Sequence, residues 1–145
     1  MAFTNPSLEE IRALLERVRS IAVVGLSPKP DRPSYKVASA LQGFGYRIIP
    51  VRPMAKEILG EQVYPDLASV PDKIDLVDVF RAPEQVDEVI DACIALRVPA
   101  VWLQDGVVNE AAAQRARAAG LMVVMDRCVY RDYVRLFDAV PRSAP

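Results

Sequence analysis

Short apolar segments alternate with segments of helical periodicity along this chain, and that alternation limits its possible folds more than any other feature. Five apolar runs, rich in β-branched residues, have the length and composition of strands buried on both faces. They predict strands at residues 21–25, 46–51, 74–80, 100–103 and 121–125. Between two of these runs, Val37, Leu41 and Phe44 recur on one side of a predicted helix. Alternating strands and helices are typical of an α/β fold with a parallel sheet.

The predicted helices have recognisable ends. Ser7 and Glu10 have the spacing of a capping box, and Asn109 precedes an alanine-rich segment that ends at Gly120. Helices are expected at about 7–19, 34–44, 83–96, 110–119 and 128–138, with a short helical turn in 66–70. Short connections and right-handed crossovers predict a three-layer, doubly wound, Rossmann-like parallel sheet of about five strands in the order 3-2-1-4-5. The chain is expected to form one domain over residues 1–145, with its core at 21–128.

Composition and charge exclude several functional classes. The 145 residues are 52% hydrophobic with a net charge of −1, which indicates a globular domain without a basic surface for nucleic acid or anionic membranes. No apolar run reaches the roughly 18 residues of a membrane span, and the first residues lack a secretory pattern, so the expected location is the cytoplasm. Cys93 and Cys128 have no metal-binding spacing, which fits a reducing compartment. The absence of histidine excludes Ser-His-Asp and Cys-His catalysis, histidine metal ligands and phosphohistidine intermediates.

The loop after the first predicted strand differs from a dinucleotide-binding loop. The G-x-G-x-x-G pattern keeps only its first glycine, and prolines, serines and basic residues follow it. A glycine allows close backbone approach to a ligand, a helix start attracts phosphate, and prolines reduce the entropy lost on binding. The candidate ligand-binding residues of this loop are Gly25, Ser27, Lys29, Arg32 and Ser34. Alternatively, Ser34 only caps the following helix and the charged side chains are solvated.

The end of the second predicted strand carries Arg52, where NAD-binding Rossmann units have an acidic residue that holds the ribose. A guanidinium can pair bidentately with phosphate, so an adenylated ligand is expected to carry a ribose phosphate, as NADP and coenzyme A do. Val51, Pro53 and Lys56 complete this candidate segment. The alternative is an exposed arginine without a ligand.

Two further strand ends offer less specific candidates. Phe80 can form an aromatic wall for adenine with Arg81 near a phosphate or the base, although core packing of Phe80 and a helix-cap ion pair of Arg81 would explain them equally well. Gln104 can hydrogen-bond the amides of a pantetheine arm, and Trp102 is expected in the core. Both strand ends lie at the edge of the sheet where such folds bind ligands.

Candidate catalytic groups are few. The carboxylates near strands or strand ends are Asp75, Asp78, Asp105 and Asp126, and no two of them have a spacing that specifies acid–base catalysis. Cys128 follows Arg127, which could activate a thiol, and the alternative is a buried, inert cysteine. No catalytic residue and no metal ligand is therefore assigned.

Three stretches of the sequence resemble one protein family and occur in the same order as they do there. They are VVGLSPKPDRPSYKVASALQGFGYRIIPVRP at 23–53, ILGEQVYPDLASVPDKIDLVDVFR at 58–81 and VWLQDGVVNEAAAQRARAAGLMVVMDRC at 101–128. Together they resemble the small stand-alone CoA-binding proteins, which are similar to the CoA-binding domain of the succinyl-CoA synthetase α subunit. The likeness covers residues 21–128, nearly the whole predicted domain.

The resemblance implies a Rossmann-type CoA-binding fold. The CoA phosphates would then lie at Gly25, Ser27, Arg32 and Ser34, and the nucleotide against the segments 51–53 and 80–81. Family members commonly have asparagine at the position of Arg52 and proline at that of Val129. The synthetase relatives carry a phosphorylated histidine in a further domain, and this histidine-free chain does not share that chemistry.

The expected function is binding of coenzyme A or an acyl-CoA through strand-end loops, by a carrier, sensor or partner subunit without catalytic activity of its own. An NADP-dependent oxidoreductase is the first alternative, favoured by Arg52 although the second and third glycines of the motif are absent. A CoA-transfer enzyme with an unidentified catalytic residue is the second. Besides coenzyme A, the expected partners are a second copy of the chain or another protein, since exposed sheet edges favour pairing.

Overall fold

The computed structural model describes residues 3–142, so residues 1–2 and 143–145 of the predicted domain lie outside the described part. The strands of its main sheet are β1 (Ser20–Val24), β2 (Arg47–Val51), β3 (Leu76–Val79), β4 (Ala100–Leu103) and β5 (Met122–Met125). The α-helices are α1 (Leu8–Arg17), α2 (Pro33–Gly43), α3 (Val86–Leu96), α4 (Glu110–Ala118) and α5 (Val129–Phe137). A small hairpin (Glu57–Ile58 and Glu61–Gln62) and two 3-10 turns (Leu67–Ser69 and Pro83–Gln85) lie in the connections. These bounds confirm the predicted strands and helices, with small shifts at their ends.

Local signals in the sequence set the starts of two helices. The Ser7 hydroxyl accepts a hydrogen bond from the Glu10 N–H, and the Glu10 carboxylate accepts one from the Ser7 N–H, so the capping box of α1 is formed. At the start of α4, the Asn109 side chain accepts from the Ala112 N–H. Each cap satisfies a donor of the first helical turn that has no partner within the helix.

The five main strands are parallel and lie in the order β2-β1-β3-β4-β5. The α/β, Rossmann-like class is confirmed, but the predicted order 3-2-1-4-5 is wrong because β3 pairs with β1 and not with β2. The outer side of β2 is already paired: the Tyr64 N–H donates to the Pro50 carbonyl, and the Arg52 N–H donates to the Tyr64 carbonyl. Pro50 has no N–H of its own and is tolerated best on an edge strand. The connection after β2 therefore closes this edge, and the third strand lies on the other side of β1.

Helices cover both faces of the sheet, as a three-layer fold requires. Buried residues of α1, α2 and α5 pack on one face, around the fully buried Trp102. Those of α3 and α4 pack on the other face, against Val77 and Val101. The indole N–H of Trp102 donates to the Arg127 carbonyl at 2.7 Å, which satisfies its polar group and agrees with the predicted core position.

The far edge of the sheet is also paired within the chain. The Asn5 side chain donates to the Met125 carbonyl at 2.9 Å and accepts from the Met125 N–H at 2.8 Å. Its amide group thus forms the two hydrogen bonds with β5 that the backbone of a neighbouring strand would form. At Pro50 and at Met125, the backbone groups that could pair with a second copy of the chain thus already have partners. None of the helices in residues 3–142 has the length and hydrophobicity that a membrane-spanning helix needs.

Candidate functional site

The ends of β1 and β3 meet at the point where the fold reverses direction. The helix after β1 lies on one face of the sheet and the helix after β3 lies on the other, which opens a crevice between the two strand ends. Gly25 lies in this crevice with a left-handed backbone (φ +85), and an added Cβ would lie 2.2 Å from the Phe80 carbonyl oxygen. Only glycine satisfies both the backbone angle and the close approach.

A cavity of about 760 Å³, called the main cavity below, opens on the α2 and α5 side of the crevice. Its lining residues are Gly25, Ser27, Pro28, Lys29, Arg32, Pro33, Ser34, Val37, Arg52, Phe80, Gln104, Asp105, Val107, Cys128 and Arg131. Candidates from four different strand-end loops thus come together in one cavity. The candidates that do so are Gly25, Ser27, Lys29, Arg32, Ser34, Arg52, Phe80 and Gln104.

The loop between Gly25 and α2, called the phosphate loop below, is held by its own hydrogen bonds. The buried Ser34 hydroxyl accepts from the Ser27 N–H at 3.0 Å, and the Ser27 hydroxyl accepts from the Lys29 N–H at 3.1 Å. The N-cap of α2 is Arg32, without a side-chain cap bond, so the interpretation of Ser34 as the helix cap is wrong. Ser34 instead joins the two ends of the loop.

The phosphate loop presents positive charge to the main cavity. Pro33 is the first residue of α2. The N–H groups of Ser34 and Tyr35 lie in the same first turn, where backbone N–H groups have no acceptor within the helix. The positive end of the helix dipole lies at the same place. Lys29 and Arg32 are exposed there and, among residues 3–142, neither forms an ion pair. The loop can therefore accept an anion without breaking a salt bridge.

A second cavity of about 260 Å³ lies on the α3 side of the same crevice. It is lined by Val24, Val51, Arg52, Pro53, Pro65, Asp66, Leu67, Arg81, Glu88, Val89 and Ala92. This second cavity is lined by three predicted site residues that are absent from the wall of the main cavity: Val51, Pro53 and Arg81. Lys56, the remaining candidate, lines neither of the two cavities.

Arg52 lines both cavities. Its guanidinium donates to the carbonyls of Leu26 and Pro53 at 3.4 Å each, which is long for a hydrogen bond. No carboxylate of the described chain pairs with it. Its charge is therefore available at the junction of the two cavities.

Arg81 lines the second cavity, and one of the two interpretations made of it is wrong. It has no ion pair among the described residues, so the helix-cap salt bridge is not formed. Its Nε is buried and, within residues 3–142, has no hydrogen-bond partner. Phe80 is half-buried and packs against the core cluster that includes Trp102 while lining the main cavity, so core packing and cavity lining both hold for it.

The opposite end of the main cavity, called the far end below, is built by the loops after β4 and β5. The buried Gln104 accepts from the Val129 N–H at 3.0 Å through its side-chain oxygen, which ties it to the start of α5. Asp105 pairs with Arg131 in the first turn of α5 at 2.5 Å. The buried Cys128 lies between these groups on the cavity wall. Arg131 is a site residue that the sequence did not identify, because an arginine on a helix surface carries no distinguishing pattern.

The other acidic candidates line neither of the two cavities. The Asp75 carboxylate accepts from the N–H groups of Arg19 and Ser20, and that of Asp126 accepts from the Gly106 N–H. Asp78 lies in β3 between Val23 and Trp102, fully buried, and neither of its carboxyl oxygens has a partner in the described chain. Burial raises the pKa of Asp78 well above its ordinary value, because desolvation disfavours the charged carboxylate.

A comparison with protein families shows which family the chain belongs to. Residues 19–133 match the model of a family described as a CoA binding domain. The chain belongs to this family. The resemblance found in the sequence is thereby confirmed, and the CoA-binding domain extends over both cavities.

Relatives of this CoA-binding domain include both small proteins and large enzymes. The chain is 44% identical over 125 residues to the uncharacterized protein YneT of Bacillus subtilis, covering 86% of this chain and 93% of that one. A solved structure of a hypothetical protein from Pyrococcus horikoshii OT3 superposes with a TM-score of 0.87 at 38% identity, covering 94% of this chain and 99% of that one. An ADP-forming acetate–CoA ligase II of Archaeoglobus fulgidus is 32% identical over 93 residues, which span 63% of this chain and 13% of the ligase.

Proposed function

We propose that this chain binds coenzyme A, or an acyl-CoA, across the crevice between β1 and β3, and that it acts as a carrier, a sensor or a subunit of a larger assembly without catalysing a reaction itself. The observation that carries the proposal is the position of Arg52, which lines both cavities beside the phosphate loop and has no ion pair among the described residues. Coenzyme A has a diphosphate and a separate ribose phosphate, and this region offers positive charge for both.

The cavities suit the parts of this ligand. The diphosphate would lie on the phosphate loop, against the first turn of α2 and the side chains of Lys29 and Arg32. The ribose phosphate would pair with Arg52. Adenine would occupy the second cavity, where Val24, Val51 and Val89 provide an apolar surface.

The pantetheine arm would extend through the main cavity towards Gln104. Its amides need donors and acceptors, and the Gln104 side chain offers both types of group on a buried wall. Val37 and Val107 supply apolar contacts along the way. The thiol end, or an acyl group bound to it, would then lie near Asp105 and Arg131.

The groups around this end favour holding a ligand over transforming it. In the described part of the main cavity wall, Asp105 is the only carboxylate, and it is already paired with Arg131. One relative is compatible with a role beside other domains, because 93 residues of this chain match 13% of the length of an acetate–CoA ligase. A carrier, a sensor and a separate subunit are all compatible with such an arrangement.

Titration calorimetry with four ligands tests the proposal: CoA, dephospho-CoA, NADP and NAD. CoA should bind most tightly, and dephospho-CoA, without the ribose phosphate, should bind more weakly. In a thermal unfolding assay, CoA at about 100 times its dissociation constant should add ~2.7 kcal/mol to the free energy of unfolding. Binding of NADP in the absence of CoA binding would overturn the proposal in favour of an oxidoreductase.

A further inference from the structure

Arg127 and Arg131 lie one helical turn apart near the start of α5, but their guanidinium groups are used differently. Arg127 donates to both carboxyl oxygens of Asp132, at 2.7 Å each, and the two side chains are 29% and 7% exposed. This bidentate pair leaves little of the guanidinium for another partner. Arg127 does not line the main cavity, so its role is to fix the start of α5.

Arg131 lines the main cavity and is held by a single bond. Its Nη2 donates to Asp105 at 2.5 Å, and the two side chains are 65% and 44% exposed. Within residues 3–142, no acceptor contacts its Nε or Nη1. A guanidinium has five N–H donors, so Arg131 can take a further oxyanion without first losing Asp105.

The far end of the main cavity is where the last atoms of a bound acyl-CoA would lie. The phosphate loop and Arg52 account for the phosphates, and Gln104 marks the path of the arm towards α5. Arg131 lines the same cavity close to Gln104, since Val129 two residues before it donates to Gln104 and Asp105 next to Gln104 pairs with Arg131. A cation at this place meets the acyl group and not the nucleotide.

We infer that Arg131 binds a carboxylate at the end of the acyl group, so the site prefers thioesters of dicarboxylic acids to thioesters of monocarboxylic acids. The inference rests on the proposed binding of CoA. Asp105 weakens the attraction of Arg131 for such a ligand, because its carboxylate partly neutralises the guanidinium and repels a second carboxylate beside it. The Asp105–Arg131 pair thus sets the strength of the preference.

Calorimetry with glutaryl-CoA and valeryl-CoA tests this inference, since the two acyl groups have the same chain length and differ in a terminal carboxylate or methyl group. The wild-type chain should bind glutaryl-CoA about fivefold more tightly than valeryl-CoA, the upper range for a solvent-exposed ion pair. Arg131→Gln should abolish this preference, which is measured as the ratio of the two affinities in the same variant. Asp105→Asn should increase it, because the repelling carboxylate is removed.

Arg135→Gln is the matched control, because Arg135 lies one turn further along α5, is exposed, and does not line the main cavity. It should keep the wild-type preference. Equal binding of the two thioesters by a wild-type chain that binds CoA would overturn the inference and leave the proposed function standing. A preference that persists in Arg131→Gln would also overturn it. Failure of CoA and both thioesters to bind would overturn the proposed function and this inference with it.

Discussion

The two ends of the main cavity hold their polar groups in opposite ways. At the phosphate loop, serine hydroxyls that accept from backbone N–H groups shape the chain. The cations Lys29, Arg32 and Arg52 have no ion pairs among the described residues. At the far end, Gln104 is bonded to α5 and Asp105 is paired with Arg131. An anion can therefore bind at the first end without breaking an ion pair, whereas a ligand at the second end meets groups that already have partners. The phosphate loop should therefore supply most of the affinity for CoA, and the far end should supply the selectivity among acyl groups.

Gly25→Ala should have the largest effect of the substitutions considered, because it disturbs the crevice that holds both ends of the main cavity in place. The new Cβ would lie 2.2 Å from the Phe80 carbonyl oxygen, and the backbone has φ +85. We expect a loss of about 3 kcal/mol or more in the free energy of unfolding, measured by urea denaturation.

Gly43→Ala is the matched control for that substitution. Gly43 is in α2, its backbone angle is ordinary for a helix, and an added Cβ meets nothing within 4 Å. Alanine should stabilise the helix there by up to about 1 kcal/mol. Equal stability of the two variants would show that the close approach at Gly25 does not limit the fold.

Arg52→Ala tests the phosphate end directly. The affinity for CoA should fall roughly 10- to 100-fold, the range for losing a charge-assisted hydrogen bond, and the affinity for dephospho-CoA should change little. Stability should be nearly unaffected, since the recorded bonds of Arg52 are long. Calorimetry measures both affinities.

Lys56→Ala is the control for Arg52, because Lys56 follows the same strand and lines neither cavity. It should retain the affinity for CoA. If Arg52→Ala kept the wild-type preference for CoA over dephospho-CoA, Arg52 would not be the ligand of the ribose phosphate.

Asp78→Val tests whether the interior of the sheet beneath the crevice affects ligand binding at either end of the main cavity. Replacing a buried carboxyl without partners by an apolar group of similar size should raise the free energy of unfolding by about 1–3 kcal/mol, without changing the affinity for CoA. Changed CoA affinity would show that Asp78 shapes the cavity floor.

The stabilisation by Asp78→Val should also depend on pH. Burial raises the pKa of Asp78 above its ordinary value of 3.8, so between the two values the folded chain keeps a proton that the unfolded chain has released. The stability of the wild-type chain therefore falls as the pH rises from about 4 to the raised pKa, and the advantage of the variant grows over the same range. Asp78→Asn should remove this pH dependence while keeping a buried polar group. Urea denaturation at several pH values measures both effects.

Sequence patterns predicted the positions that depend on strand ends. Gly25, Arg52 and Gln104 were identified because each follows an apolar run, and parallel strands bring such ends to one edge of a sheet. The predicted strand order was wrong, although proline is tolerated best on an edge strand, because the pairing of Tyr64 with β2 has no signal of its own in the sequence. The division of the site into two cavities also depends on that order.

Side-chain partners were the least predictable part. The sequence could not separate Arg127 from Arg131, since only the folded α5 shows that one has a bidentate partner and the other a single bond. Asp78 was recognised as a carboxylate in a strand, but its full burial depends on helices from both ends of the chain. Helix capping was the alternative considered for Ser34, and its loop-closing bond was not predicted because such bonds depend on the path of the intervening residues.

Ser34→Ala should have the smallest effect, and it separates the shape of the phosphate loop from its charge. The variant leaves the Ser27 N–H without its acceptor but removes no cation. We expect a loss of about 1 kcal/mol in the free energy of unfolding and a several-fold loss in affinity for CoA and dephospho-CoA alike. Ser39→Ala, an exposed position in the same helix, should change neither quantity by more than a few tenths of a kcal/mol, or about twofold in affinity. If Ser34→Ala bound both ligands as tightly as Ser39→Ala did, charge alone would account for binding at this end, and the hydrogen bonds of the loop would serve only the fold.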